Sequence, residues 1–274
     1  MKSFIRQVVL RRSPPGSFGL RILSFFFYTY LNAYGYNPPH GMRESGELIT
    51  IGLLGTSTGQ GLAVDCGANV GDYTLAILRD TDLKVVCIEP GIEALSELKS
   101  LTKDYADRVQ IFGCAVGSES GTAILYEVGP TGVGSTLLSD SLQIDYVGKQ
   151  TRGNREVQIR TVDEILKEVR LIESWDVPVK LFKVDVEGLE FDVLKGASGM
   201  LQNDLPDVIQ IEGNWHQLFG GHSLYDVSRL LPEYECLQIL PHSKTIEKRN
   251  PADWLSNIYA HSNWVFVPIQ STID

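Results

Sequence analysis

An α/β fold with a doubly wound, mostly parallel sheet is what this sequence predicts, and three observations carry it. From residue 61 onward short β-branched runs alternate with helix-like segments, the pattern of βαβ units. VDCGANVG at 64–71 is a strand ending in Asp that passes through a glycine turn into a helix. Two later runs, VKLFKVDV at 179–186 and DVIQIE at 207–212, both end in acid. Carboxyl ends of neighbouring strands converge on the ligand crevice of such a sheet.

Taken in order, LAVDC at 62–66 is an apolar strand, and 72–79 follows it with helical spacing. KVVCIE at 84–89 is a second strand, Pro90 a turn, and EALSELKSL a helix. Val109–Phe112 makes a short third strand. GCAVG then leads into an expected antiparallel hairpin: TAILYEV, a Gly/Ser-rich loop at 129–135, and REVQIRTV. Thr161, with Asp163 and Glu164 behind it, starts a helix that runs to about residue 169. Residues 179–186 form a buried strand, 190–201 a single helix and 207–212 another strand; 234–240 and 264–269 close the sheet with a loop between them. An antiparallel edge is therefore expected.

At 274 residues with 43% hydrophobic and 21% charged residues, the chain has ordinary globular composition and enough length for a sizeable core. The net charge of −10 argues against a nucleic-acid partner, whose phosphates demand a basic surface. Cys66, Cys87, Cys114 and Cys236 are widely spaced without a C-x-x-C pair. They read as free thiols, which suits a cytoplasmic protein.

The first 60 residues stand apart from the α/β domain expected over 61–274. Lys2, Arg6, Arg11 and Arg12 precede LRILSFFFYTYL at 20–31. That run is interrupted by Arg21, Ser24 and Thr29, lacks a small-residue cleavage site and is shorter than the ~20 apolar residues a bilayer requires. Neither a signal peptide nor a transmembrane anchor is expected. Two readings stay open for this helical, aromatic segment: packing on the domain or in a homo-oligomer, which is preferred, and peripheral contact with a membrane surface through the apolar face and basic flanks. NPPHG at 37–41 and GTSTGQG at 55–61 read as loops, with a short helix at 47–54 between them.

The chemistry concentrates in three motifs. In VDCGANVG, Gly67 and Gly71 let the backbone approach a ligand, and the helix behind them presents free N–H groups to an anion such as a methionine carboxylate. Asn69 breaks the G-x-G-x-x-G pattern of dinucleotide binding, which counts against NAD. Glu89 ends the next strand 22 residues after Gly67, where a carboxylate binds both hydroxyls of a ribose. In KVDVEGLEFDVLKGA at 183–197, Lys183 and Asp185 point the same way by strand alternation, so the lysine is expected to have a charge partner. Glu212, followed by Asn214, Trp215 and His216, ends the neighbouring strand.

The ordered set VDCGANVG, CIEP, CAVGSESG, RTVDEIL, KVDVEGLEFDVLKGA and VIQIE resembles the FkbM-type methyltransferases over roughly residues 60–215. That resemblance implies a Rossmann-like class I methyltransferase fold, S-adenosylmethionine (SAM) as cofactor, and O-methylation of a hydroxyl on a sugar, glycan, polyketide or related natural product. It implies a cofactor pocket formed by Asp65, Gly67, Asn69, Gly71, Glu89, Pro90, Cys114, Ala115 and Asp185, with backbone contacts at Cys114 and Ala115. The acceptor pocket is expected from residues before 60 and beyond 215. An alcohol acceptor needs a base or a metal. Asp185, Glu187 and His216 are the candidate catalytic residues; Asp185, Glu187 and Glu212 are the candidate ligands of a divalent cation, which is the less favoured route. Two alternatives stand beside this reading: an NAD-dependent oxidoreductase, and a non-catalytic SAM- or nucleotide-binding subunit.

Overall fold

The computed structural model describes residues 18–39, 41–54, 60–129, 132 and 134–269; the basic residues ahead of 18 and most of the 55–61 loop lie outside them. Three helices open the fold, α1 (Phe18–Tyr34), α2 (Met42–Ser45) and α3 (Ile49–Leu53). Then β1 (Leu62–Cys66), α4 (Asp72–Asp80), β2 (Lys84–Ile88), α5 (Ile92–Leu101) and β3 (Val109–Phe112) alternate as the sequence pattern requires. LAVDC is buried at every position, because a strand inside a parallel sheet has packed layers on both faces.

A second, smaller unit follows: β4 (Ala115–Val116), β5 (Gly121–Val128), the helix α6 (Asp145–Gln150) and β6 (Thr151–Arg160). β5 and β6 form the expected antiparallel hairpin, but in a separate three-stranded sheet of order β4-β6-β5. The chain returns through α7 (Val162–Ile172), β7 (Val179–Val184), α8 (Glu190–Gly196), α9 (Ser198–Asn203), β8 (Val208–Gly213), α10 (Gln217–Gly220) and α11 (Leu224–Leu230), and ends on β9 (Tyr234–Leu240), β10 (Thr245–Lys248) and β11 (Ser262–Pro268). Thr161 caps α7, its side chain accepting from the Glu164 amide.

The main sheet has the order β10-β9-β11-β8-β7-β1-β2-β3. β3, β2, β1, β7 and β8 are parallel, while β11 runs antiparallel between β8 and β9. This is the expected mostly parallel, doubly wound α/β arrangement, with an antiparallel edge. Strand alternation divides the core in two: Val64, Cys66, Val86, Phe182 and Ile211 face Ile165, Leu166, Val193 and Val227. Ala63, Val85, Cys87, Leu181 and Val265 face Ile51, Tyr73, Ile77 and Leu98 on the other side. Leu31 and Tyr36 belong to the first core and Ile51 to the second, so the end of α1, the strap after it and α3 pack on the sheet.

Two local expectations are corrected. The helix over 190–201 is two, because Asp163 accepts from the Gly199 and Met200 amides at 2.7 and 2.8 Å and starts a new helix there. The loop between the last two long strands contains β10, paired with β9 from Thr245↔Leu240 to Lys248↔Leu237. Between the hairpin strands the chain carries a 3₁₀ turn at Ser139–Gln143 and α6.

Candidate active site

The order of strands reverses between β1 and β7, and a cleft opens at their carboxyl ends. One wall is the turn after β1. Gly67 (φ 78°) and Asn69 (φ 48°) are both left-handed, a conformation glycine adopts freely and asparagine tolerates. The Gly67 and Ala68 amides donate to the Ile88 carbonyl at 2.9 and 3.2 Å. A Cβ on Gly67 would overlap the Asp185 carbonyl oxygen. The close approach that demands glycine is therefore to the end of β7, within the protein itself, although Gly67 also lines the cleft.

Glu89 is held by this turn. Its Oε2 accepts from the Asn69 amide (2.9 Å) and its Oε1 from the Gly91 amide (2.6 Å). Burial raises its pKa despite those two bonds. Ile88, Pro90, Cys114, Ala115 and Val116 continue the wall with largely apolar surface. Asn69 Oδ1 lies buried in this wall without a hydrogen-bond partner.

Two expected cofactor residues stand elsewhere. Asp65 is fully buried below the turn, accepting from Thr74 Oγ1 at 2.7 Å with Lys183 Nζ 3.9 Å away. Gly71 (φ 96°) starts α4, and a Cβ there would meet Leu98 Cδ1 at 2.5 Å, so it serves the packing of α4 on α5. Neither lines the cleft, because the helix start carries the chain from Gly71 onward away from the strand ends.

The facing wall is acidic. Lys183, buried, pairs with Asp185 Oδ2 at 2.8 Å and sits 5.2 Å from the centroid of the Tyr73 ring. Burial works against its charge, but Asp185 and Asp65 outweigh burial and raise its pKa. For Asp185 burial is likewise outweighed, here by the lysine, and the carboxyl is held below its usual range. Carboxylate oxygens of Asp185, Glu187 and Glu212 come within 4.8 Å of one another. Burial and the charges of Asp185 and Glu187 push the Glu212 carboxyl well above its usual range. His261 Nε2 stands 2.7 Å from Glu212 Oε1 without hydrogen-bond alignment.

Glu187 adopts φ 56° and is followed by Gly188 at φ 107°; a left-handed non-glycine residue stores ~1–3 kcal/mol of strain. Its surroundings hold it there. Asn214 Nδ2 donates to both Glu187 Oε2 (2.9 Å) and Glu212 Oε2 (2.8 Å), and His216 Nδ1 lies 2.6 Å from Glu187 Oε2. Below the turn, buried Glu190 accepts from the Val186 and Gly188 amides at 3.2 and 3.0 Å, and burial pushes its pKa up to about 7.

The structure thus brings Asp185, Glu187 and Glu212 together on the cleft and leaves His216 behind them. His216 is wholly buried and does not line the cleft, which removes it as a base in contact with an acceptor. The rest of the cleft comes from a place the sequence did not suggest. Leu125 on β5 and Gly132, Gly134, Ser135, Thr136 and Leu137 after it line the cleft. Thr136 ties this cap to the acidic wall, its Oγ1 donating to the Glu187 carbonyl at 3.0 Å. A polar loop after a hairpin carries no periodic signal that would have marked these residues.

A family model described as the methyltransferase FkbM domain matches residues 65–236. The chain belongs to the FkbM methyltransferase family. A curated relative, "Methyltransferase sdnD" of Sordaria araneosa, is 29% identical over 153 residues, which is 48% of this chain and 59% of the relative. Among solved structures, precorrin-6y C5,15-methyltransferase of Geobacter metallireducens is 10% identical, with TM-score 0.42 and coverage of 82% of this chain and 87% of that one. An O-methyltransferase of Bacillus cereus in complex with SAH is 11% identical, with TM-score 0.41 and coverage of 97% of each chain.

Family membership makes this a methyltransferase domain with SAM as cofactor, and the dehydrogenase alternative falls. The FkbM cleft fits that cofactor: Glu89 can receive ribose hydroxyls, the orphaned Asn69 Oδ1 awaits a donor, and the wall from Ile88 to Val116 suits an adenine. Among the described residues no helix is long and apolar enough to cross a membrane.

Proposed function

We propose that this FkbM methyltransferase methylates a hydroxyl oxygen of a sugar, glycan or polyketide-like acceptor. The observation that carries the reading is the trio Asp185, Glu187 and Glu212, whose carboxylate oxygens lie within 4.8 Å of one another on the wall across from the glycine turn. An alcohol is a poor nucleophile until its proton leaves, and a base works best with a pKa near the working pH. Glu212 is pushed up by burial and its acidic neighbours and lies on the cleft, so it is the group that takes the proton. Asp185 stays ionised beside Lys183 and keeps Glu212 basic. Glu187, held by Asn214 and His216, accepts a hydrogen bond from the acceptor and fixes its approach. His216 is then a positioning residue. Bound SAM supplies an electrophilic methyl group; the chain holds the acceptor oxygen in line with it and excludes water beneath the Leu125–Leu137 cap.

A second reading has one supporting feature, since the same three oxygens could hold a divalent cation. Lys183 already occupies Asp185 Oδ2, which favours the proton route. The experiment incubates the enzyme with methyl-labelled SAM and pools of glycans and polyketide alcohols, then locates the label by NMR. A methoxy product is expected, unaffected by EDTA, with a rate that falls as pH drops below the base's pKa. Label on nitrogen or carbon refutes the O-methyl reading. Loss of turnover on chelation, restored by Mg²⁺, establishes the metal route.

A further inference from the structure

Nothing described in the fold covers most of α1. Its last turn is fixed: Leu31 is buried, Tyr34 stacks on Tyr36 with ring centroids 6.1 Å apart, and the Arg249 guanidinium lies 4.0 Å from the Tyr34 ring centroid. Ahead of that turn Phe18, Phe25, Phe26, Phe27, Tyr28 and Tyr30 expose 79%, 67%, 62%, 53%, 59% and 49% of their surface, with Ile22 and Leu23 at 41% and 37%. At about 100° per residue these side chains wrap most of the helix circumference. A partner protein, or a second α1, covers one stripe of a helix; a fluid apolar phase meets every side.

Charge points the same way. Six of the 24 Lys and Arg, namely Lys2, Arg6, Arg11, Arg12, Arg21 and Arg43, and none of the 34 Asp and Glu fall within residues 1–43, in a chain of net charge −10. A basic, acid-free segment around an aromatic helix complements anionic headgroups, while the acidic remainder is repelled from them. Two copies meeting symmetrically through α1 would instead bring their Arg21 residues to the same interface. We infer that α1 and its basic flanks seat the enzyme on an anionic lipid surface. The strap after α1 ends near the acidic wall, with the Asn37 amide donating to the His261 carbonyl at 2.7 Å and His261 Nε2 2.7 Å from Glu212 Oε1.

The test is sedimentation of the full chain with vesicles of phosphatidylcholine alone and of phosphatidylcholine with phosphatidylglycerol. The chain should pellet at least about tenfold better with the anionic vesicles, an advantage that shrinks in high salt. Phe25→Ser with Phe26→Ser and Phe27→Ser should weaken partitioning about tenfold or more per ring withdrawn from lipid. Arg11→Glu with Arg12→Glu should weaken it at least about fivefold per charge removed. These aromatics are exposed, so stabilisation by SAM should be unchanged in the triple variant and confirms its fold. The inference is overturned by equal pelleting with both vesicles, by pelleting that the triple variant leaves intact, or by a chain that stays in solution as a dimer which the triple variant dissociates.

Discussion

The two walls of the cleft are built from different materials. Glu89 is held by backbone amides from two turns, Asn69 after β1 and Gly91 after β2. The wall opposite holds its carboxylates with side chains: Lys183 from the same strand beside Asp185, and Asn214 and His216 from the segment after β8 around Glu187. A backbone site needs glycines and a left-handed asparagine at fixed spacing, so it leaves a motif in the sequence. A side-chain site leaves only its members. The two walls should therefore fail differently when altered.

Gly67→Val breaks the comparison most completely. Its Cβ would overlap the Asp185 carbonyl in a residue at φ 78°, and the obstructing atoms are backbone, which cannot swing aside. Both walls meet at this contact. Loss of the folded domain is expected, read as a missing cooperative thermal transition. A folded Gly67→Val protein that binds SAM normally would show that the turn and β7 are not pressed together.

Glu212→Gln tests the side-chain wall alone. It should bind SAM with unchanged affinity and turn over about 10²–10⁴-fold more slowly, the usual worth of a general base. Calorimetry and single-turnover rates read the two quantities separately. Wild-type turnover would move the base to Glu187 or Asp185.

The contrast also explains what was legible in the sequence. Gly67, Asn69 and Glu89 were found through the Gly-rich turn and the acidic strand end, and the Lys183–Asp185 pairing followed from strand alternation. The family resemblance implies Asp65 and Gly71 in the cofactor pocket too, but Asp65 lies under the turn and Gly71 serves helix packing. The His216 side chain could not be placed from sequence, since a loop residue after a strand has no fixed direction. The cap from Leu125 to Leu137 was invisible as a wall, although its hairpin was expected, because nothing local says over which edge a hairpin folds.

Glu190 sharpens how the turn beneath the acidic wall is held. Burial lifts its pKa from 4.5 to about 7, against the pull of the Gly188 amide. A carboxyl raised in the folded state contributes stability that is full below its unfolded pKa and is lost as pH climbs through the folded one. The window is therefore about pH 4.5 to 7, and the loss is of order 3 kcal/mol. Glu190→Gln stays neutral throughout. Its melting temperature relative to wild type should rise across that window, and a flat difference would mean that Glu190 does not carry its proton at the turn.

Glu89→Ala should have the smallest effect and separate the walls most cleanly. Removing the carboxylate takes away the acceptor for ribose hydroxyls and leaves the Asn69 and Gly91 amides without their partner. Hydrogen bonds to a charged group are worth ~1.5–3 kcal/mol, so SAM affinity should fall by about that amount. Glu89 also anchors the turn, so the melting temperature without cofactor should drop as well, in step with two stranded amides. Turnover at saturating SAM should stay near wild type, because Glu212 and Glu187 stand on the other wall and take their geometry from Asn214 and His216. Glu89→Gln refines the result: an amide that keeps one acceptor oxygen should restore part of the stability while recovering little of the affinity. A large fall in saturated turnover with unchanged SAM affinity would mean that the backbone-built wall takes part in the chemistry as well as in binding.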